Sequence, residues 1–228
     1  GRGYTSDQIV KCGFGYISAD VKNQLSKFFD LPAAFGAPSH PLLITWKRDG
    51  QAVGLKARAI DSETAPKYMF CKGSFVAENL FLQDEIEFEK DAPRLVYLCE
   101  GEFDALAGHA QGLNIVASAG NLKEGQARIL KQRIKAKTVC IIADNDKKRD
   151  TEEKEQAGNK EAAAAREILH KAGINVLRVS LPAEAGDLDE YFQDQGHTRE
   201  DFDALEREFA SVTEARIIGR SAKEKYNT

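Results

Sequence analysis

The stretch Arg94–Leu106, RLVYLCEGEFDAL, decides the fold. Its apolar run, LVYLC, shows no polar alternation, as expected of a strand buried on both faces, and the Glu-Gly that ends it opens a segment of helical period, FDALAGHAQG. The same alternation continues downstream through LNIVASAG, KEGQARILKQRIK, KTVCIIADND, NKEAAAAREILHKAG and INVLRVSLP. Short apolar runs separated by helical segments imply a parallel sheet with crossover helices. Residues 94–196 therefore read as an α/β domain with a mostly parallel sheet flanked by helices.

Outward from this block the pattern changes. Residues 1–93 read as a smaller α+β subdomain, with helices over Ser6–Lys11 and Asp20–Phe29 and strands over Leu42–Lys47, Val53–Ala59 and Lys67–Phe70. Arg48-Asp49-Gly50-Gln51 is a turn between two of those strands, and Gln83–Pro93 is an acidic connector. Beyond Gly196, EDFDALEREFASV reads as helix before a polar end, so 197–228 is taken as a C-terminal helical segment and tail.

In an open parallel sheet, functional residues collect at the carboxyl ends of the strands. Glu100 follows LVYLC directly, and Asp104 falls on the first turn of the next helix. Asp144 and Asp146 follow TVCIIA, and Asp187 and Asp189 repeat that spacing after LRVSLPAEAG. Each pair alone is compatible with a helix cap or a turn. Together they are like charges that repel unless a cation neutralises them, and an all-oxygen set suits Mg²⁺ or Mn²⁺. A divalent-metal phosphoryl-transfer site is the hypothesis that follows.

Composition sets bounds. The 228 residues are 42% hydrophobic and 30% charged, enough for a core and too apolar for a disordered chain. No apolar run approaches a membrane span and the N-terminus lacks a signal-like stretch, so a soluble cytoplasmic protein is expected, without a membrane partner. Cys12, Cys71, Cys99 and Cys140 lack zinc-knuckle spacing, so no structural zinc is expected, and Cys99 and Cys140 read as reduced core thiols. The formal charge of -4 argues against a nucleic-acid partner only on average: without the six carboxylates above, the remainder is +2. Lys47–Lys72 holds six basic residues and three acids, with Tyr68 and Phe70 among them as core aromatics or as stacking platforms for bases.

The segments L98-C99-E100-G101-E102-F103-D104, I142-A143-D144-N145-D146 and D187-L188-D189-E190-Y191 resemble, in that order, the Toprim domain of DnaG-type primases. G1-R2-G3-Y4 with F14-G15-Y16, P41-L42-L43-I44, V53-G54-L55 with Arg58, P66-K67-Y68 and N79-L80-F81 resemble the rest of the primase RNA-polymerase domain, of the phage or plasmid primase or primase-helicase kind. The resemblance implies short RNA primer synthesis by nucleotidyl transfer on a single-stranded DNA template from ribonucleoside triphosphates. It implies Glu100, Asp144 and Asp146 as primary ligands of Mg²⁺ or Mn²⁺, with Asp104, Asp187 and Asp189 as further ligands or supports. Arg58 and Lys67, and after them Lys56 and Lys72, are the expected nucleotide or DNA contacts.

Three departures accompany the match. Lys147–Ala157 replaces a short link and reads as a solvated loop; Phe75-Val76-Ala77-Glu78 stands where the family often has a basic residue; and the family's zinc-binding domain and helicase motif are missing, which points to a fragment, or to a short form whose zinc domain and replicative helicase are partners. Two other classes stay open: a Toprim-type metal-dependent nuclease, and a non-catalytic module that binds single strands or a replication partner.

Overall fold

A computed structural model describes residues 3–61, 63–73, 75–143, 152–205 and 207–209. Helix α1 (Ser6–Lys11) starts where expected, at a reciprocal cap: the Thr5 hydroxyl accepts from the Gln8 N–H and the Gln8 side chain accepts from the Thr5 N–H. Helix α2 (Ala19–Leu25), capped by Ser18, stops short of the expected Phe29; the residues after it leave Phe28 81% exposed while Phe29 and Leu31 pack against the core.

An antiparallel sheet follows the order β1 (Phe14–Tyr16), β2 (Leu42–Arg48), β3 (Gln51–Arg58) and β4 (Tyr68–Phe70). Strand β1 has only three residues, one of them glycine, too little for a pattern reading; its pairing with β2 creates it. The hairpin turn forms at Asp49-Gly50, both with positive φ (54° and 73°), as a two-residue turn between right-twisted strands requires.

The second sheet runs β6-β5-β7-β8-β9. Its elements in chain order are β5 (Leu95–Cys99), α3 (Glu102–Ala110), β6 (Ile115–Ala117), α4 (Glu124–Arg128), β7 (Thr138–Ala143), α5 (Glu152–Lys171), β8 (Asn175–Ser180), α6 (Arg199–Asp203) and β9 (Arg207–Phe209). The first four strands of the sheet are parallel, as read from the sequence, and β9 joins β8 antiparallel. Two readings are corrected. The helix after Gly196 ends at Asp203, and Arg207–Phe209 pairs with Leu177–Val179 because the exposed backbone of β8 offers a ladder. The tract read as a loop over Lys147–Ala157 is helical from Glu152 onward, the start of α5; its earlier residues lie outside the described ones.

Both faces of the parallel sheet are covered. Tyr97 and Cys99 face a core shared with the antiparallel sheet through Phe14, Trp46 and Phe81, while Val96 and Leu98 face a second core with Leu130, Val139 and Leu169. The segment just before the connector is stitched in: Phe81 bridges Ala117 at the outer edge of β6, and the buried Gln126 amide donates to the carbonyls of Val76, Asn79 and Ser118. Among the described residues no helix is long and apolar enough to cross a membrane.

Candidate functional site

The carboxyl end of β5 delivers an exposed Glu100, and Gly101 caps α3. A Cβ on Gly101 would lie 2.4 Å from Asp104 Oδ2, so glycine is what lets that carboxylate fold back onto the helix start. Asp104 is buried, and its Oδ1 accepts from the Asp189 N–H at 3.0 Å. Burial, then the charge of Asp187 and more weakly that of Glu100, push the Asp104 carboxyl up to about 7, against the lowering pull of backbone hydrogen bonds. Asp187 Oδ1 accepts from the Glu190 N–H at 2.7 Å and shapes the turn, while the buried Asp189 carboxylate accepts from the Tyr4 hydroxyl.

Glu100 and Asp187 thus both act electrostatically on Asp104, and Asp189 enters through its backbone. Asp144 and Asp146 lie outside the described residues; β7, which ends at Ala143 just before them, is the neighbour of β5. Among the described residues no three His, Cys, Asp or Glu groups form a set that could hold a metal ion. Hard oxygen donors, one of which burial and then its neighbouring carboxylates keep protonated up to about 7, are nevertheless chemically suited to Mg²⁺ or Mn²⁺.

The antiparallel sheet brings cations to the same end of the molecule. Its register aligns Tyr16, Leu42, Arg58 and Tyr68 in one cross-strand row, so these side chains share a face. The Arg58 guanidinium stacks 4.1 Å from the Phe103 ring, three residues beyond Glu100, and its buried Nε has no hydrogen-bond partner among the described residues. Lys56, two residues earlier, is buried: its ammonium pairs with Glu102 and lies 4.9 to 5.5 Å from the rings of Phe70, Tyr68 and Trp46. The Trp46 Nε1–H donates to the same Glu102 oxygen at 3.2 Å.

A Toprim-like family model matches residues 97–192, the span from β5 to the turn after Asp189. The DNA primase of Thermotoga maritima is 28% identical over 86% of this chain, which spans 36% of that relative's length. A solved Aquifex aeolicus primase (zinc-binding and RNA-polymerase domains) is 24% identical, superposes with a TM-score of 0.66 and is covered over 54% of its length by 90% of this chain. A DnaG primase catalytic domain bound to single-stranded DNA is 20% identical, with a TM-score of 0.65, 89% of this chain covering 67% of that one. The chain has the fold of a DnaG-type primase core.

Within that fold the expected site residues divide. Glu100, Asp104 and Asp187 come together, and Arg58 stands beside them with hydrogen-bonding capacity to spare. Lys67 is exposed just before β4, 5.8 Å from the Tyr68 ring. Lys72 is exposed and pairs with Asp30 at 2.9 Å, a surface pair too weak to hold it there. Lys56 departs from the expected role, because desolvation and pairing with Glu102 withhold its ammonium from any ligand. Sequence reasoning missed Tyr4 and Glu102 as partners of site residues. Nothing local marks the first, 185 residues from Asp189; the second had one cue, an acid in the first helical turn beside Glu100.

Proposed function

We propose that this chain is the catalytic core of a metal-dependent DNA primase, joining ribonucleoside triphosphates into short RNA primers on single-stranded DNA in the cytoplasm. The observation that carries the reading is the convergence of Glu100, Asp104 and Asp187, at the strand ends of a primase fold, with an arginine that has an unused donor. Glu100, Asp144 and Asp146 would hold Mg²⁺ or Mn²⁺, with Asp104, Asp187 and Asp189 as further ligands or orienting groups. A divalent ion bound there would neutralise charge growing on the phosphates and lower the pKa of a bound hydroxyl.

The protein's own groups do the rest. Arg58 offers a planar fork matched to phosphate oxygens, and Phe103 fixes that fork in place. Lys67 and Lys72 add point charges along the approaching strand, and the exposed Tyr16 and Phe70 give template bases flat surfaces to stack on. Asp189, held by Tyr4, presents its N–H to Asp104 and so fixes the carboxylate that neighbours Glu100. A zinc-binding domain and a replicative helicase, in the same polypeptide or separate, are the proposed partners for start-site choice and movement.

The test incubates the protein with Mg²⁺ or Mn²⁺, labelled ribonucleotides and several single-stranded templates. Oligoribonucleotides should form and fall at least ~100-fold in Asp144→Ala, since even groups that only support a metal ligand cost 10- to 100-fold when removed. Cleavage of the template would instead make the protein a nuclease, and binding without chemistry would make it a binding module. Synthesis that survives loss of both Asp144 and Asp146 would refute the site.

A further inference from the structure

One strongly charged surface is left unused by that site. Residues 128–137, RILKQRIKAK, hold five cations and no acid. The fold sorts them into two sets. Arg128 pairs with Glu78 at 3.1 Å, and Arg133 bridges Asp49 at 2.8 Å and Asp84 at 2.6 Å, so both serve the contact with the N-terminal part of the chain. Lys131, Lys135 and Lys137 instead emerge, exposed, at the amino edge of the parallel sheet.

Backbone hydrogen bonds place them in a line there. The Lys137 N–H donates to the Arg94 carbonyl at 3.0 Å, and the Asn175 N–H donates to the Lys137 carbonyl at 3.0 Å. The Lys131 ammonium reaches the Gly173 carbonyl at 2.6 Å. Arg94, Lys137 and Lys131 therefore cross the ends of β5, β7 and β8 at roughly the ~4.8 Å spacing of neighbouring strands, with Lys135 two residues from Lys137. Among the described residues none of these four has an ion-pair partner; Arg94 lies 5.8 Å from the Phe88 ring, and Glu167 is taken by Lys171. Glu89 and Asp91, exposed, precede Arg94 in the chain.

The chemistry of this edge selects its ligand. A docking site for a folded protein needs apolar or aromatic anchors at its centre. Among the described residues the exposed large apolar ones are Val10, Tyr16, Phe28, Ile60 and Phe70, all in the N-terminal part of the chain. A row of cations without anchors can grip a polyanion but cannot read it. We propose that Arg94, Lys131, Lys135 and Lys137 form a second, sequence-independent contact for the phosphate backbone of a single strand, at the end of the sheet opposite the carboxylates. The strands between are five and six residues long, so the two contacts lie roughly 20 Å apart and only a long strand reaches both. The choice of single-stranded DNA as the polyanion rests on the primase reading; the cationic edge does not.

The test replaces Arg94, Lys135 and Lys137 together by Gln in the full chain, leaving Lys131 on its carbonyl. Affinity is read by fluorescence anisotropy across a salt series, on oligo-dT of about 40 nucleotides and of about 8 nucleotides, a length one groove would hold. On the long strand the slope of log K against log salt should fall by about 2, from ~0.7 per lost phosphate contact, with binding weakened at least about tenfold at low salt. The short strand should bind the variant and the parent alike. An unchanged slope on the long strand would overturn the proposal, as would an equal loss on the short one. So would loss of poly-glutamate binding with DNA binding intact, which would assign the edge to an acidic protein. Because binding is read without catalysis, a parent that makes no primers would refute the primase reading and leave this result standing.

Discussion

Asp104 shows how one carboxyl can set the pH response of the whole fold. Folded, it keeps its proton to about pH 7, whereas an unfolded Asp gives it up near 3.8, so between those values the native state binds more protons. Stability must then fall as pH rises through that window. The displacement corresponds to up to about 4 kcal/mol above pH 7. Asp104→Asn keeps an oxygen for the Asp189 N–H and removes the charge. In thermal melts without divalent ions it should match the parent near pH 4 and exceed it by a few kcal/mol at pH 8; added Mg²⁺ should raise the melting temperature of the parent more than that of the variant. A variant less stable than the parent at pH 8 would contradict this account. The carboxylate spacing was legible in the sequence, and so was the end of the sheet on which it falls. Which carboxyl holds a proton was not, because burial of Asp104 depends on Gly101 lacking a Cβ and on a turn more than eighty residues away.

At the level of elements, β3 and α3 are joined by the Lys56–Glu102 pair beneath three aromatic rings. Lys56→Met should strand Glu102 as a buried charge and cost about 3–5 kcal/mol in denaturant titrations. The double variant Lys56→Met/Glu102→Gln should recover most of that loss, since an amide oxygen still accepts from Trp46. If the two losses simply added, the pair would not be coupled. The same elements mark the limits of pattern reading. β5 and β7 were readable because a strand covered on both faces is apolar throughout. β1 and β9 were not, because three residues carry no period and their pairing partners, Ile44 and Leu177, lie about thirty residues away in the chain. The acidic helical pattern after Arg199 is real for five residues, then yields to the unpaired edge of β8.

Across the whole molecule, the two sheets share one apolar core, with Phe14, Trp46 and Phe81 packed into the cluster that holds Tyr97, Leu106 and Ile142. Such a core cannot melt in halves, so tryptophan fluorescence from Trp46 and far-UV circular dichroism should report one coincident transition. Two separated transitions would mean that the N-terminal and α/β parts fold independently. The sheet margins carry a further consequence. Phe81 sits against one outer parallel strand and Arg207–Phe209 against the other, so among the described residues neither flank of the parallel sheet offers a long free row of N–H and C=O groups. A protein closed in this way resists recruiting strands from its own copies, which lets it work at high local concentration without seeding aggregates.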